Sequence, residues 1–172
     1  VDVLKRLWRN AHPGVTKLWA DLQNAAEETI RTKRPHDVGL LTFDTKGNWL
    51  RIRLASGRYL CYPYAAYSVD EGVTFYGVDQ YTRKWSKQRT YSGKLLENIC
   101  QSSARDVLYD AMPRAESHGF SIVLHVHDEL VAEARKELRV DDLSAIMAAG
   151  HSWTEGLPLA AAGFESLRYK KG

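Results

Sequence analysis

Cysteine is scarce in this chain: only Cys61 and Cys100 occur in 172 residues, and no CxxC pair is present. A thiolate zinc site is therefore excluded, and a reducing cytoplasm is the default compartment. No run of about 18 apolar residues exists, so the sequence offers no membrane-spanning helix. Internal repeats and low-complexity tracts are absent. The first residues, Val1-Asp-Val-Leu-Lys-Arg6, form neither a signal peptide nor an initiator methionine start, and the chain reads as a fragment or a processed piece. Hydrophobic residues make up 44% of the chain, enough for one domain with a real core. The net charge is +3 and the pI about 8.8, which permits a nucleic-acid partner without demanding one.

The stretch from Gly119 to Glu133 organises the rest. Two apolar arms, Ile122 to Val126 and Leu130 to Ala132, flank a polar tip, His127-Asp128-Glu129. This reads as a tight β-hairpin with two adjacent carboxylates at its turn. Strand alternation would set His125 and His127 on one face. Carboxylate oxygens at a turn suit Mg²⁺ or Mn²⁺, which prefer hard donors and keep several waters. A solvated turn would look the same.

Upstream, apolar residues recur at Leu4, Leu7, Trp8, Ala11, Val15, Leu18, Trp19, Leu22, Ala26 and Ile30, close to a helical period. His12-Pro13 divides this into a helix to about Asn10 and a second from Pro13 to about Arg31, since proline fits a first turn. Trp8, Leu18 and Trp19 are expected in the core. Residues 38 to 90 read as an antiparallel meander. Its parts are a strand Val38–Phe43, a turn from Asp44 to Asn48, strands at Trp49–Leu54 and Arg58–Tyr62, and another at Val73–Gly77. Arg51 and Arg53 alternate with Leu50, Ile52 and Leu54, giving one basic and one apolar face. Asp44, Asp70 and Asp79 fall in the expected turns.

Residues 81 to 94 contain five basic residues, Arg83, Lys84, Lys87, Arg89 and Lys94, with no acid, interleaved with Tyr81, Trp85 and Tyr91. The stretch reads as a basic loop, either solvated or in contact with phosphates. A long helix from Leu95 to about His118 follows, with Leu96, Cys100, Ala104, Val107, Leu108 and Ala111 as its apolar sector and Gly119 as its C-terminal cap. Beyond the hairpin, Arg139–Gly150 reads as a short helix with Asp141 as N-cap, and Leu157–Tyr169 as a final strand.

Taken together, Gln101-x-x-Ala104-x-Asp106 on a helix, an apolar strand and Val126-His-Asp-Glu129 resemble the C-terminal palm of family A DNA polymerases, those like DNA polymerase I. The tip matches their motif C. Tyr91-Ser-Gly-Lys-Leu-Leu-Glu-Asn98 ahead of the glutamine is most similar to phage-type members, and Ser56-Gly-Arg58 with Leu60-x-Tyr-Pro63 resembles their Gly-Arg turn. The resemblance implies an α+β fold: an antiparallel palm-type sheet carrying the motif C hairpin, packed against long helices, with a β-meander insertion. The chain would be a single C-terminal segment, with a helical fingers-side region over 1–34, the meander over 35–90 and the palm over 91–172.

By the same resemblance Asp128 is a metal-bridging catalytic carboxylate and Glu129 its weaker neighbour, holding Mg²⁺ (Mn²⁺ possible). His127 lies against the primer end, and Gln101 reaches the minor groove, where every base pair offers an acceptor. Arg58, Arg83, Lys84, Lys87, Arg89 and Lys94 would contact the primer–template backbone. The implied partners are primer–template DNA, a deoxynucleoside triphosphate and the remainder of a polymerase chain carrying motifs A and B, which this sequence lacks. No membrane is involved, and the implied location is the cytoplasm of a bacterium or phage-infected host. The asparagine that the family places four residues before the glutamine is Glu97 here, with Asn98 following. Arg105 and Asp106 read as a structural pair. Two other readings are a non-catalytic DNA-binding remnant and a cupin-like site using His125, His127 and Glu133.

Overall fold

A computed structural model describes residues 2–169. Val1, Lys170 and Lys171, on which parts of the terminal readings fall, lie outside the described residues. The fold is α+β, with four α-helices and antiparallel sheets. The chain divides into two compact units, one ending at Cys100 and one starting at Gln101.

In the first unit, α1 (Asp2–Ala11) and α2 (Pro13–Thr32) are separate helices, divided at His12 as the proline requires. Helix α1 buries no residue. Trp8, expected in the core, is instead exposed and stacks on Trp19 with ring centroids 5.7 Å apart. Helix α2 turns Leu22, Ala25, Ala26 and Ile30 onto a four-stranded sheet, β1 (His36–Val38), β2 (Leu41–Lys46), β3 (Trp49–Arg53) and β4 (Tyr59–Tyr62), in that order. Leu50, Ile52 and Leu54 are buried on the inner face, and Arg51 and Arg53 lie on the other, as alternation dictates. Together with Phe43, Val73 and Leu95 they form the core. Each such apolar side chain contributes about 1.5–3 kcal/mol.

Two boundaries differ from expectation. The first expected strand is two, broken at Gly39-Leu40, and the second runs on to Lys46. The turn is then only Gly47-Asn48, so Asp44 is a strand residue. It sits across from Arg51 and accepts a bidentate ion pair at 2.6 and 2.7 Å. That pairing offsets aspartate's poor strand propensity.

A three-stranded sheet follows: β5 (Ala66–Ser68), β6 (Gly72–Val78) and β7 (Trp85–Thr90). The basic stretch expected as a loop is thus largely strand β7, paired in register with β6 from Val73↔Thr90 to Val78↔Trp85. Its charges hid an alternation that is only half apolar, the usual state of an edge strand. Asp70 does lie in the β5–β6 turn and Asp79 in the β6–β7 connection.

Helix α3 (Ser92–Ser117) carries the chain from the first unit into the second. Its buried residues are Leu95, Ile99, Asp106, Leu108, Ala111 and Ala115, while Cys100 and Ala104 are exposed, so its first half buries the sector adjacent to the expected one. Leu95 and Ile99 are the bulkier residues and win the core. The helix closes on Gly119, whose φ is +94°, with Gly119 N–H to the Glu116 carbonyl at 3.0 Å and Phe120 N–H to Ala115 at 3.2 Å. This is the Schellman arrangement.

The second unit continues with the hairpin strands β8 (Ser121–Val126) and β9 (Glu129–Glu133), which pair only with each other, and α4 (Val140–Ala148). Helix α4 is capped at Arg139 rather than Asp141: the Asp142 carboxylate accepts the Arg139 N–H at 3.0 Å. The acid at the third helical position reaches back, and Asp141 lies inside the first turn. Residues 157–169 form no strand. Pro158 lacks a backbone donor, which disfavours a paired strand at the start of the segment.

The candidate catalytic hairpin and nucleic-acid surfaces

Strands β8 and β9 are joined by a two-residue turn, His127-Asp128, closed by the pair Val126↔Glu129. Glu129 is therefore the first residue of β9 and not part of the turn. His127 has φ +53°. The two other two-residue turns, after Val38 and after Lys46, put Gly39 (φ +59°) and Gly47 (φ +58°) at that same first position. A histidine in this region carries strain on the order of 1 kcal/mol. The turn also breaks the alternation expected to align His127 with His125.

His127, Asp128 and Glu129 are all exposed, and among the described residues no ion pair engages either carboxylate. His125 is set apart from the tip by its ring contact with Tyr109 of α3, edge-on at 5.2 Å. Val123 is a bulge between the paired residues Ile122 and Leu124. Gln101 is exposed on α3, about 12 Å along the helix axis from Tyr109.

The donors of the cupin-like reading do not converge. Glu133 pairs with Ser121 at the open end of the hairpin, while His127 is in its turn. They are separated by four strand positions, about 13 Å. Among the described residues no group of three or more His, Cys, Asp or Glu side chains could hold a metal. Asp128 and Glu129 are hard oxygen donors of the kind Mg²⁺ and Mn²⁺ take. They would supply two donors to such a site, and further oxygen donors would be needed to complete it.

The basic residues fall into separate places of the first unit. Arg83 and Lys84 lie in the β6–β7 connection, which is pinned by Asp79 accepting the Tyr81 N–H, the Thr82 N–H and the Thr82 hydroxyl. Those bonds hold the Asp79 pKa below its ordinary value, the Thr82 N–H first among them. Lys87 and Arg89 project from β7, with Lys87 paired to Glu71. Lys94 is paired to Glu97 at 3.3 Å, and Arg58 follows the turn after β3. Asn98 is engaged by Tyr62, to whose hydroxyl it donates at 3.0 Å. Arg105 donates to the Tyr109 hydroxyl at 3.0 Å, and Asp106 is buried.

Sequence reading singled out Trp85 among the basic residues but missed that exposed Tyr76 of β6 shares its sheet face. The period-2 signal that locates it was obscured by the flanking charges.

The second unit thus carries an exposed Asp-Glu pair at a hairpin turn, and the first unit carries a sheet with exposed cations and aromatic rings. The chain is 37% identical over 175 aligned residues to a DNA polymerase of Bacillus phage SP02, an alignment that takes in 98% of this chain and 27% of that protein. The chain thus spans about a quarter of the length of the curated relative it matches. No family model matches the chain, and no solved structure matches it. No helix among the described residues is long and apolar enough to cross a membrane.

Proposed function

We propose that this chain is the C-terminal palm segment of a phage-type, family A DNA polymerase, and that Asp128 is its motif C catalytic carboxylate. One observation carries the reading: His127-Asp128 forms a strained, exposed two-residue turn in a chain similar along almost its whole length to a phage DNA polymerase. Strain retained at an exposed tip suits a residue kept for what it touches.

Asp128 and Glu129 would hold Mg²⁺ or Mn²⁺ together with carboxylates from the rest of the polymerase. When bound, such ions neutralise the triphosphate and lower the pKa of the primer 3′-hydroxyl. The contribution of this chain is positioning. The paired strands β8 and β9 fix the Asp128 carboxylate at the turn. His127, exposed at the first position of the turn, lies against the primer terminus. Gln101 donates its amide to the minor groove of the nascent pair, checking geometry without reading sequence. Arg58, Arg83, Lys84, Lys87, Arg89 and Lys94 meet backbone phosphates and set the salt dependence of binding. Primer–template DNA and deoxynucleoside triphosphates are the partners of the complete enzyme, in the cytoplasm of the host cell.

The test is Asp128→Ala in the full-length protein carrying this chain, read by single-nucleotide incorporation and by DNA affinity. Incorporation should fall by about 10²-fold or more, with affinity for primed DNA nearly unchanged. Activity kept within about tenfold would refute the assignment of Asp128, and a wild-type protein that binds DNA without incorporating would favour the non-catalytic remnant.

A further inference from the structure

Strands β5, β6 and β7 present one face to the core, and on the other face Thr74 is buried while Tyr76, Val78, Trp85, Lys87 and Arg89 are exposed. Val73 and Phe75 face inward, Val73 buried and Phe75 edge-on to Tyr62 at 5.1 Å. Alternation then sends Tyr76 and Val78 of β6 outward, and the register sets Lys87 opposite Tyr76 and Trp85 opposite Val78. Arg89, opposite Thr74, completes the row. Tyr64 joins it from the loop before β5. Its φ of +50° turns it out of the sheet, and its ring meets Tyr76 edge-to-face at 5.9 Å. Trp85 is 57% exposed, Tyr64 56% and Tyr76 39%. Rings left this open on a sheet face cost solvation and contribute nothing to the core.

We infer that the outer face of β5–β6–β7 binds an unpaired nucleic-acid strand, with Tyr64, Tyr76 and Trp85 stacking on its bases and Lys87 and Arg89 meeting its phosphates. Flat aromatic rings on a sheet match exposed base faces, whereas bases in a duplex already stack on one another and offer a protein their edges. The charge supports the same occupant. Strand β7 carries Lys87 and Arg89 and no acid, and Arg83 and Lys84 extend the cationic row beyond its start. The neighbouring carboxylates are Asp70, Glu71 and Asp79. Asp79 is taken up by its own loop, and Glu71 by an exposed ion pair with Lys87, of a kind worth little and readily exchanged for a phosphate. A second copy of this face would bring like charges together.

The inference rests on the reading above only for its choice of DNA as ligand. It asks nothing of Asp128, so binding and catalysis fail separately. The experiment compares a blunt hairpin duplex with the same hairpin carrying a 12-nucleotide single-stranded 5′ extension, by fluorescence anisotropy on the full-length protein. The extended form should bind at least about fivefold tighter. Tyr76→Ala and Trp85→Ala should each remove most of that advantage while leaving affinity for the blunt duplex within about twofold. Tyr76→Phe and Trp85→Phe, which keep a ring and the fold, should retain it. Equal binding of the two hairpins by the wild-type protein overturns the inference. So does loss of the advantage in the phenylalanine variants to the same extent as in the alanine ones, and so does self-association that requires Trp85 without any response to the extension.

Discussion

The Tyr62 hydroxyl accepts the Asn98 side-chain hydrogen bond at 3.0 Å and ties β4 to the start of α3 inside the first unit. Burial pushes its pKa above the ordinary 10.0, and the Asn98 bond, which also serves the phenolate, pulls part of that back. A raised folded-state pKa means that the stabilisation is fully present below the unfolded value near 10 and is lost as pH rises through the folded one. Tyr62→Phe leaves the Asn98 donor without this partner and is expected to cost about 1 kcal/mol at pH 8. Urea unfolding of both proteins at pH 8 and at about 10.5 checks this: the gap should narrow at the higher pH, because only the wild type loses stability to ionisation. A gap that widens would mean that the hydroxyl does not titrate as buried. Arg51 illustrates a second residue-scale device. It is held by the Asp44 carboxylate and lies 4.4 Å over the Tyr59 ring, and the Asp44 bond raises its pKa. Neither partner was legible in the sequence, because a pair across two strands depends on register, and register depended on where the turn fell.

At the scale of elements, local chemistry was legible and tertiary choice was not. The break at His12-Pro13, the Arg-Leu alternation of β3, the hairpin over β8 and β9 and the glycine stop after α3 follow from φ/ψ limits and period alone. Strand β7 was misread because an edge strand advertises its charges, and the buried face of α3 because two adjacent apolar sectors competed for one core. The end of α3 offers a direct check. Gly119 sits at φ +94°, and a Cβ there would meet Leu138 Cδ1 at 3.3 Å. Gly119→Ala is therefore expected to destabilise by about 1–2 kcal/mol, with the left-handed backbone as the main cost. The denaturant midpoint should fall with an unchanged slope, and β8 should keep its register. A midpoint that stays put would mean that the helix end relaxes into another cap.

At the scale of the whole molecule, the question is how much of a polymerase these residues amount to. A two-metal site needs carboxylates from separate places to hold two dications against their mutual repulsion. Here Asp128 and Glu129 are consecutive at one turn, and among the described residues no third His, Cys, Asp or Glu joins them. Asp44 is committed to Arg51 and Asp79 to its own loop, so neither is free to serve. The sequence also lacks the lysine-bearing motif B helix that, in the family it resembles, clamps the triphosphate. The purified 172-residue chain is therefore expected to bind primed DNA weakly through its basic strand and to extend no primer. The measurement is primer extension with Mg²⁺, all four deoxynucleoside triphosphates and a primed template, run beside the full-length protein at equal concentration. The full-length protein should extend and the isolated chain should not. Template-dependent extension by the isolated chain that vanishes in Asp128→Ala would show that the partner carboxylate lies within these residues, and the assignment of half the metal site to the rest of the polymerase would fall.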